Sequence, residues 1–239
     1  MEYQWAILQD GQLPLKVDGR LTREQHLCTV TLIWPRGASP SRTNSLIVDP
    51  CFSAATIVEA EARLQQLDAS LDNIGYFFET HGHSDHKAHV PRPVSLGMRL
   101  RWKRKWVPQW NLWSGDTEAF PSIDMIACPG HAVDLRVLSF RSEGGVVCVA
   151  SDAILNREWL MAWQYFWPNV YEGPEVVETW RSLAKILAIA DTFIPGHGPP
   201  IRITSDLLAE MIDNFPRAEY GSHCPDVAGV LSQRLEELQ

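Results

Sequence analysis

The amino-acid sequence predicts an α/β fold built from two similar halves. Two observations carry this prediction. Runs of β-branched and apolar residues alternate with segments of helical periodicity, and several of these runs end directly at a histidine or an aspartate. α/β proteins place their ligand-binding side chains at the carboxyl ends of strands. Because no linker or low-complexity tract separates the halves, we expect one domain over residues 1–239, with a sizeable core.

The first half has the pattern of two strands, a helix and a third strand. Residues 28–34 and 44–49 are rich in β-branched and apolar side chains, which predicts buried strands. Residues 54–71 carry apolar side chains at helical spacing, with Ser53 as the N-cap. A short apolar run at residues 74–79 then ends at a histidine-rich loop. This order predicts a β-α-β unit that delivers polar side chains where its last strand ends.

The second half repeats this arrangement. Its apolar runs again end at glycine, histidine or aspartate, and its helical segments are amphipathic. Strands are predicted over residues 122–128, 135–141, 146–150 and 192–194, and helices over 175–190 and 226–238.

Four strand ends deliver side chains that bind metals. Neutral imidazoles and carboxylates suit zinc, iron or manganese, and no cysteine is needed. Because a single zinc ion takes about four ligands, the number of candidates is too large for one ion and predicts a pair. The candidates are His81, His83, Asp85, His86, His131, Asp152 and His197.

Composition narrows the class of protein. The formal net charge of −8 disfavours a dedicated nucleic-acid-binding protein, whose surface is usually basic. The amino terminus has no secretory signal pattern, and no apolar run is long enough for a membrane span. The five cysteines are widely spaced and form no C-x-x-C pair, so we expect reduced thiols. These features predict a cytoplasmic protein without membrane association.

The order of the candidate ligands resembles the metallo-β-lactamase superfamily. The chain carries the signature H-x-H-x-D-H at residues 81–86, and His131, Asp152 and His197 follow in the order of the later single ligands. The resemblance covers most of the chain. It implies a four-layer αβ/βα sandwich of two packed, pseudo-duplicated halves, with the metals in the cleft between them. It also implies a metal-dependent hydrolase.

The resemblance further implies a role for each candidate. It assigns His81, His83 and His131 to the first metal, Asp85, His86 and His197 to the second, and Asp152 to a bridge between them. The cofactors would be two divalent ions, Zn²⁺ in the first place and Fe or Mn as alternatives. Such a pair activates water as a hydroxide. Asp85 would be the catalytic residue, orienting the hydroxide and passing a proton to the leaving group. Asp49 either orients a histidine or caps the following turn.

Two aromatic segments depart from the superfamily pattern. Residues 87–113 are basic and tryptophan-rich, which predicts either a cationic wall for an anionic substrate or a solvated edge with tryptophans packed inward. Residues 159–167 are strongly apolar and should line the pocket, pack on the first segment or form a dimer contact. Tyr165 or Tyr171 is a candidate oxyanion donor. The basic residues are Lys87, Arg92, Arg99, Arg101, Lys103, Arg104 and Lys105, and the interleaved tryptophans are Trp102, Trp106, Trp110 and Trp113.

Three reactions fit this pattern. The leading hypothesis is hydrolysis of a carbonyl substrate, namely a thioester, lactone, ester or amide, at a dinuclear centre. The alternatives are a phosphodiesterase or nuclease of the same fold, and a mononuclear iron persulfide dioxygenase, which residues 79–81 also resemble. A metal-stabilised binding module is the non-enzymatic hypothesis. We expect a small-molecule substrate with an apolar or anionic portion and no nucleic-acid partner. Whether the protein forms a homodimer stays open at this point.

Overall fold

The computed structural model describes residues 1–96, 99–103, 109–165 and 169–239, with the backbone alone for residues 92–96 and 99–103. The strands are β1 (Tyr3–Gln9), β2 (Val30–Pro35), β3 (Leu46–Val48), β4 (Tyr76–Phe78), β5 (Arg92–Leu96), β6 (Arg99–Lys103), β7 (Asn111–Leu112), β8 (Ile123–Ala127), β9 (Arg136–Ser142), β10 (Gly145–Ser151), β11 (Thr192–Pro195) and β12 (Ile201–Arg202). The helices are α1 (Thr56–Gln65), α2 (Arg157–Ala162), α3 (Val177–Leu187), α4 (Ser205–Asn214) and α5 (Pro225–Glu237).

The strands form two mixed sheets, and in each sheet one pair of neighbouring parallel strands is joined by a helical connection. The first sheet has the order β1-β2-β3-β4-β7 and the second the order β12-β11-β10-β9-β8. In the first, β3 and β4 are parallel neighbours joined through α1, and in the second, β10 and β11 are parallel neighbours joined through α2 and α3. A separate antiparallel pair, β5 and β6, lies between β4 and β7 in the chain. The predicted β-α-β unit and its repeat are therefore present.

Apolar side chains fill three contact zones across the fold. Between the sheets, Val48 and Phe78 of the first sheet pack with Leu138, Val149 and Ile194 of the second. On the outer face of the first sheet, helix α1 covers strands β2 and β3. On the outer face of the second, helices α3, α4 and α5 cover strands β9, β10 and β11. Helices on both outer faces of two stacked sheets make the four-layer αβ/βα sandwich, which confirms the predicted fold class.

The predicted helix over residues 54–71 is shorter in the structure. Helix α1 stops at Gln65, and Asp68 takes a left-handed conformation (φ 54°), which turns the chain away from the helix axis. A short 3₁₀ turn, Leu71–Asn73, covers the rest of the predicted range. The predicted N-cap Ser53 is wrong, because the helix begins at Thr56 with Ala55 at the cap position. The hydroxyl of Ser53 instead accepts hydrogen bonds from the amides of Ala55 and Thr56 in the turn before the helix.

Several elements have no counterpart in the sequence predictions. They are strand β1, helix α2 and helix α4, together with the short strands β5, β6, β7 and β12. Helix α4 has a clear start signal, because the hydroxyl of Thr204 accepts a hydrogen bond from the amide of Leu207. Among the helices of the described residues, none is long and apolar enough to cross a membrane.

Candidate metal centre

The seven candidate ligands all follow strands of the two sheets. His81, His83, Asp85 and His86 lie in the loop after β4, and His131 follows β8. Asp152 follows directly on β10, and His197 comes shortly after β11. The fold brings these segments together at one edge of the sandwich, where their nitrogen and oxygen atoms form two groups. We call His81, His83 and His131 the first cluster, and Asp85, His86, Asp152 and His197 the second cluster.

The first cluster consists of three imidazoles with converging nitrogens. Nε2 of His81 lies 3.1 Å from Nδ1 of His83. The same Nδ1 lies 2.8 Å from Nε2 of His131. His81 and His131 are buried, and His83 is partly exposed. Three ring nitrogens that lie this close together could hold a metal ion, and their number matches the three protein ligands of catalytic zinc sites in general.

The second cluster combines two imidazoles with two carboxylates. Nε2 of His86 and Nε2 of His197 each lie 3.3 Å from Oδ1 of Asp152. Oδ2 of Asp85 lies 3.7 Å from Nε2 of His86 and 3.6 Å from Nε2 of His197. Asp85 is the partly exposed member, and the other three side chains are buried. This mixed donor set suits zinc, iron or manganese.

Asp152 lies between the two clusters. Its Oδ1 faces His86 and His197, whereas its Oδ2 lies 3.2 Å from Nε2 of His131 and 3.8 Å from Nε2 of His81. The close approach of Gly196 fixes the carboxylate, because a Cβ atom on Gly196 would lie 1.9 Å from Oδ1 of Asp152. One carboxylate therefore presents one oxygen to each cluster.

Asp49 supports the centre from behind. Its Oδ2 lies 2.8 Å from Nδ1 of His86 and accepts hydrogen bonds from the hydroxyls of Thr80 and Ser151. Its Oδ1 accepts from the amide of Thr80, the residue before His81. Of the two roles considered for Asp49, the contact with His86 corresponds to orienting a histidine. Such outer partners fix the tautomer and direction of a ligating imidazole.

His26 is a member of the site that the sequence patterns did not indicate. Its Nε2 lies 3.2 Å from Oδ2 of Asp85, and its ring lies against the ring of His197 with centroids 4.9 Å apart. The next residue, Leu27, accepts a hydrogen bond through its carbonyl from Nδ1 of His197 at 2.9 Å. His26 belongs to the loop between β1 and β2, whose sequence has neither a strand pattern nor a ligand motif.

The two clusters differ in how their surroundings shift the imidazole pKa. Burial lowers the pKa of His81 to about 4, and the charge of His86 acts in the same direction. Burial also lowers the pKa of His83. For His86, burial opposes the charged form, but Asp152 and Asp49 outweigh it and raise the pKa above its ordinary value. Asp152 likewise outweighs burial and raises the pKa of His197. The surroundings of His81 and His83 thus favour the neutral imidazole, the form that binds metal.

Both carboxylates of the second cluster are held in the ionised form. Burial alone would raise the pKa of Asp152, but His86 and His197 hold it well below its usual range. Burial acts on Asp85 in the same sense, and the hydrogen bond from His26 with the charge of His86 outweighs it, so the pKa is lowered. The second cluster therefore places two ionised carboxylates beside two imidazoles.

Buried atoms without hydrogen bonds indicate that a cation fits here. Within the described part of the chain, Nε2 of His86 and Oδ1 of Asp152 have no hydrogen-bond partner, although both are fully buried. Leaving such atoms unpaired is costly, and a divalent cation between them would satisfy both. The residues present therefore fit the divalent ions that the donor chemistry implies.

A cavity of about 250 Å³ opens beside the two clusters. Leu13 and Leu155 form an apolar wall of the cavity, and Trp159 packs with these two side chains in one hydrophobic cluster. The remaining lining consists of cluster residues together with His26 and Ser84. The cavity is therefore bordered on one side by metal ligands and on another by aliphatic side chains, an arrangement that suits a substrate with an apolar portion.

The aromatic segments have several locations. Trp159 borders the apolar wall, whereas Trp163 is buried against Trp180 and Phe215. Trp110 and Trp113 are buried in other hydrophobic clusters, so the predicted packing of one aromatic segment on the other is wrong for these residues. The hydroxyl of Tyr165 donates to Glu219 at 2.8 Å. Neither Tyr165 nor Tyr171 lines the 250 Å³ cavity.

Part of the basic segment lies outside the described residues. Lys87 forms an ion pair with Glu79 at 2.7 Å. The side chains of Arg92, Arg99, Arg101, Lys103, Arg104 and Lys105 lie outside the described part, as do those of Trp102, Trp106, Phe166 and Trp167. The predicted cationic wall stays a prediction.

Comparison with known proteins identifies relatives of this chain. No protein-family model matches it. It is 31% identical over 150 residues to the metallo-beta-lactamase domain-containing protein 1 of Xenopus laevis, an alignment that covers 59% of this chain and 60% of the frog protein. The matched region therefore spans less than two thirds of that relative's length.

Two solved structures show the likeness in fold. A Thermotoga maritima protein assigned as a metallo-β-lactamase superimposes with a TM-score of 0.55 at 15% identity, over 85% of this chain and 100% of that one. A variant of the AiiA protein of B. thuringiensis, solved with N-decanoyl-L-homoserine bound at its active site, superimposes with a TM-score of 0.50 at 14% identity, over 83% of this chain and 94% of that one.

Proposed function

We propose that the chain is a member of the metallo-β-lactamase superfamily and that it is a dinuclear metal-dependent hydrolase of carbonyl substrates. The observation that carries the proposal is the position of Asp152, which directs one carboxylate oxygen at each of two ready-made ligand clusters. The substrate would be a thioester, lactone, ester or amide. The cytoplasm stays the predicted location.

Each ligand has a place in this proposal. The first cluster, His81, His83 and His131, would hold one cation. Asp85, His86 and His197 would hold the other, and Asp152 would bridge the pair. Zn²⁺ is the proposed ion, because imidazole and carboxylate ligands are its usual partners. When bound, such a pair polarises a carbonyl oxygen and lowers the pKa of a nearby water.

Asp85 is the residue we propose for proton transfer. It lines the cavity and is the partly exposed member of the second cluster, so its carboxylate can reach a substrate. Its lowered pKa keeps it ionised at neutral pH, the form that accepts a proton from an attacking water. The same carboxyl group can then release that proton to the leaving group.

The cavity wall supports a substrate with an acyl chain. Leu13 and Leu155 offer an aliphatic surface next to the ligand clusters. The AiiA variant of the same fold binds N-decanoyl-L-homoserine, an acyl compound, at its active site. Acyl thioesters and acyl lactones are therefore the first substrates to test.

The test begins with the metal content of protein purified without added metal or chelator, measured by elemental mass spectrometry. We expect two zinc ions per chain and turnover of acyl thioesters or lactones. Asp85→Asn should reduce that turnover by about 10²–10⁴-fold, the usual contribution of a general acid or base. Asp213→Asn, an exposed carboxylate on α4, is the matched control and should keep full activity. Full activity in Asp85→Asn would refute its role.

The same measurements separate the alternative reactions. One iron per chain, with oxygen consumption on persulfide substrates, would favour the dioxygenase. The complete second cluster supports two cations, since that reaction needs only one iron. For the phosphodiesterase, charge reversal at Arg101, Lys103 and Arg104 should abolish salt-dependent binding of short oligonucleotides. Wild-type protein that binds no oligonucleotide would exclude a nuclease.

A further inference from the structure

The loop between β1 and β2 contacts the second cluster at two adjacent residues. The carbonyl of Leu27 accepts a hydrogen bond from Nδ1 of His197, and Nε2 of His26 lies within hydrogen-bond distance of Asp85. The ring of His26 also lies against that of His197. One dipeptide, His26-Leu27, thus contacts two of the four members of the second cluster.

The contact with Asp85 involves the oxygen that faces the cluster. Oδ2 of Asp85 lies 3.2 Å from Nε2 of His26 and 3.6 Å from Nε2 of His197. A carboxylate oxygen has two acceptor directions, so one can take the N–H of His26 while the other stays directed at the cluster. Without His26, the partly exposed side chain of Asp85 would lose a contact to the oxygen that faces the cluster.

The loop itself is anchored, which makes this contact a fixed one. Gln12 and Leu27 exchange backbone hydrogen bonds of 2.8 and 3.0 Å. The amide of Thr29 donates to the carbonyl of Gly196 at 2.6 Å, directly beside His197. A Cβ atom on Gly11 would lie 2.8 Å from both the carbonyl oxygen of Gly196 and the Cα of His197, so the loop packs closely there.

We propose that His26 is a positioning residue of the metal centre, which orients Asp85 and His197 for the second cation and leaves the first cluster unaffected. The inference rests on the proposed dinuclear function. Among the described residues, no hydrogen bond, ion pair or ring contact joins His26 to the first cluster, and its side chain is 49% exposed at the cavity. Outer partners of metal ligands typically contribute about 10–100-fold to metal affinity.

The experiment is a titration of metal-free, full-length protein with Co²⁺, followed by visible absorption and calorimetry. His26→Phe keeps an aromatic ring beside His197 but has no N–H for Asp85. We expect this variant to bind the first equivalent of Co²⁺ as the wild type does, and the second about 10–100-fold more weakly. His26→Gln retains an N–H donor and should bind the second equivalent more tightly than His26→Phe. The control is His223→Ala, an exposed histidine elsewhere, which should match the wild type.

The outcomes of this titration distinguish the dinuclear function from the positioning role of His26. If the wild type binds fewer than two equivalents, the dinuclear function itself is wrong. If the wild type binds two and His26→Phe binds both with unchanged affinity, the positioning role is overturned while the function stands. Equal weakening of both equivalents, or a His26→Gln variant no better than His26→Phe, also overturns it, because the effect would then not come from the hydrogen bond to Asp85.

Discussion

The two clusters of the metal centre are built in different ways. The first consists of three imidazoles from two segments of the chain, and two of them lie two residues apart in one loop. The second collects its four members from three segments and has partners behind it, namely Asp49 on His86, Leu27 on His197 and His26 on Asp85. The first cluster takes two of its three members from the loop after β4 and the third from the segment after β8, whereas the second also has partners from the loop between β1 and β2. Asp152 links the two clusters, because it directs one carboxylate oxygen at each of them.

The largest expected effect comes from Asp152, because both clusters contact it. Asp152→Ala should leave less than one metal ion per chain and reduce hydrolysis by more than about 100-fold, since the loss of an outer partner alone costs about 10–100-fold. Elemental mass spectrometry and a turnover assay measure the two effects, with circular dichroism as the control for folding. Retention of two ions would mean that the clusters bind metal independently of Asp152.

Gly196→Ala should affect the second cluster alone. The added Cβ would meet Oδ1 of Asp152 at 1.9 Å, and this oxygen faces His86 and His197. We expect the second metal equivalent to bind about 10–100-fold more weakly and the free energy of unfolding to fall by about 1–3 kcal/mol. Metal titration and urea unfolding measure both quantities.

The matched control for that substitution is Gly229→Ala. Gly229 lies in helix α5 with nothing within 4 Å of an added Cβ atom, so this variant should gain about 0.5–1 kcal/mol of stability. It should bind both metal equivalents as the wild type does. If Gly196→Ala weakened the binding of both metal equivalents equally, the two oxygens of Asp152 would not act separately on the two clusters. The contrast between the clusters would then not hold.

The smallest effect is expected at Tyr165, which belongs to neither cluster. Its hydroxyl donates to Glu219 and it does not line the 250 Å³ cavity, so Tyr165→Phe removes a single peripheral hydrogen bond. Hydrolysis should change by less than twofold, and unfolding by at most about 0.5–1.5 kcal/mol. A large loss of kcat with unchanged stability would instead identify Tyr165 as an oxyanion donor.

Much of the fold followed from local patterns, and its missing parts have physical reasons. Strands such as β2 and β10 are almost continuously apolar, because both of their faces are covered. The sequence pattern extends past the end of helix α1 because apolar residues continue beyond Gln65, and the turn at Asp68 depends on a left-handed backbone that periodicity does not encode. Strand β1 alternates only weakly between buried and exposed residues, so its sequence carries no clear strand pattern.

The candidate site was predictable to the extent that each ligand follows a strand. His131 and His197 needed only the rule that strand ends carry ligands, together with a resemblance in their order. His26 could not be found in that way, since its loop carries no motif and its contact with Asp85 arises only when residues far apart in the chain come together. The role of Asp49 was narrowed to two alternatives by its place at a strand end, and the distance to His86 was needed to choose.

The hydrogen bond between His197 and Leu27 joins residues that lie far apart in the sequence, so the two are made at different times during synthesis. The chain emerges from the ribosome from its amino terminus at about 5–20 residues per second. All three imidazoles of the first cluster have been synthesised once His131 is made, but Leu27 must wait for His197, which comes 170 residues after it. Seconds therefore pass between the synthesis of the last imidazole of the first cluster and that of His197, and the hydrogen bond that ties the loop between β1 and β2 to the second cluster forms only late in synthesis.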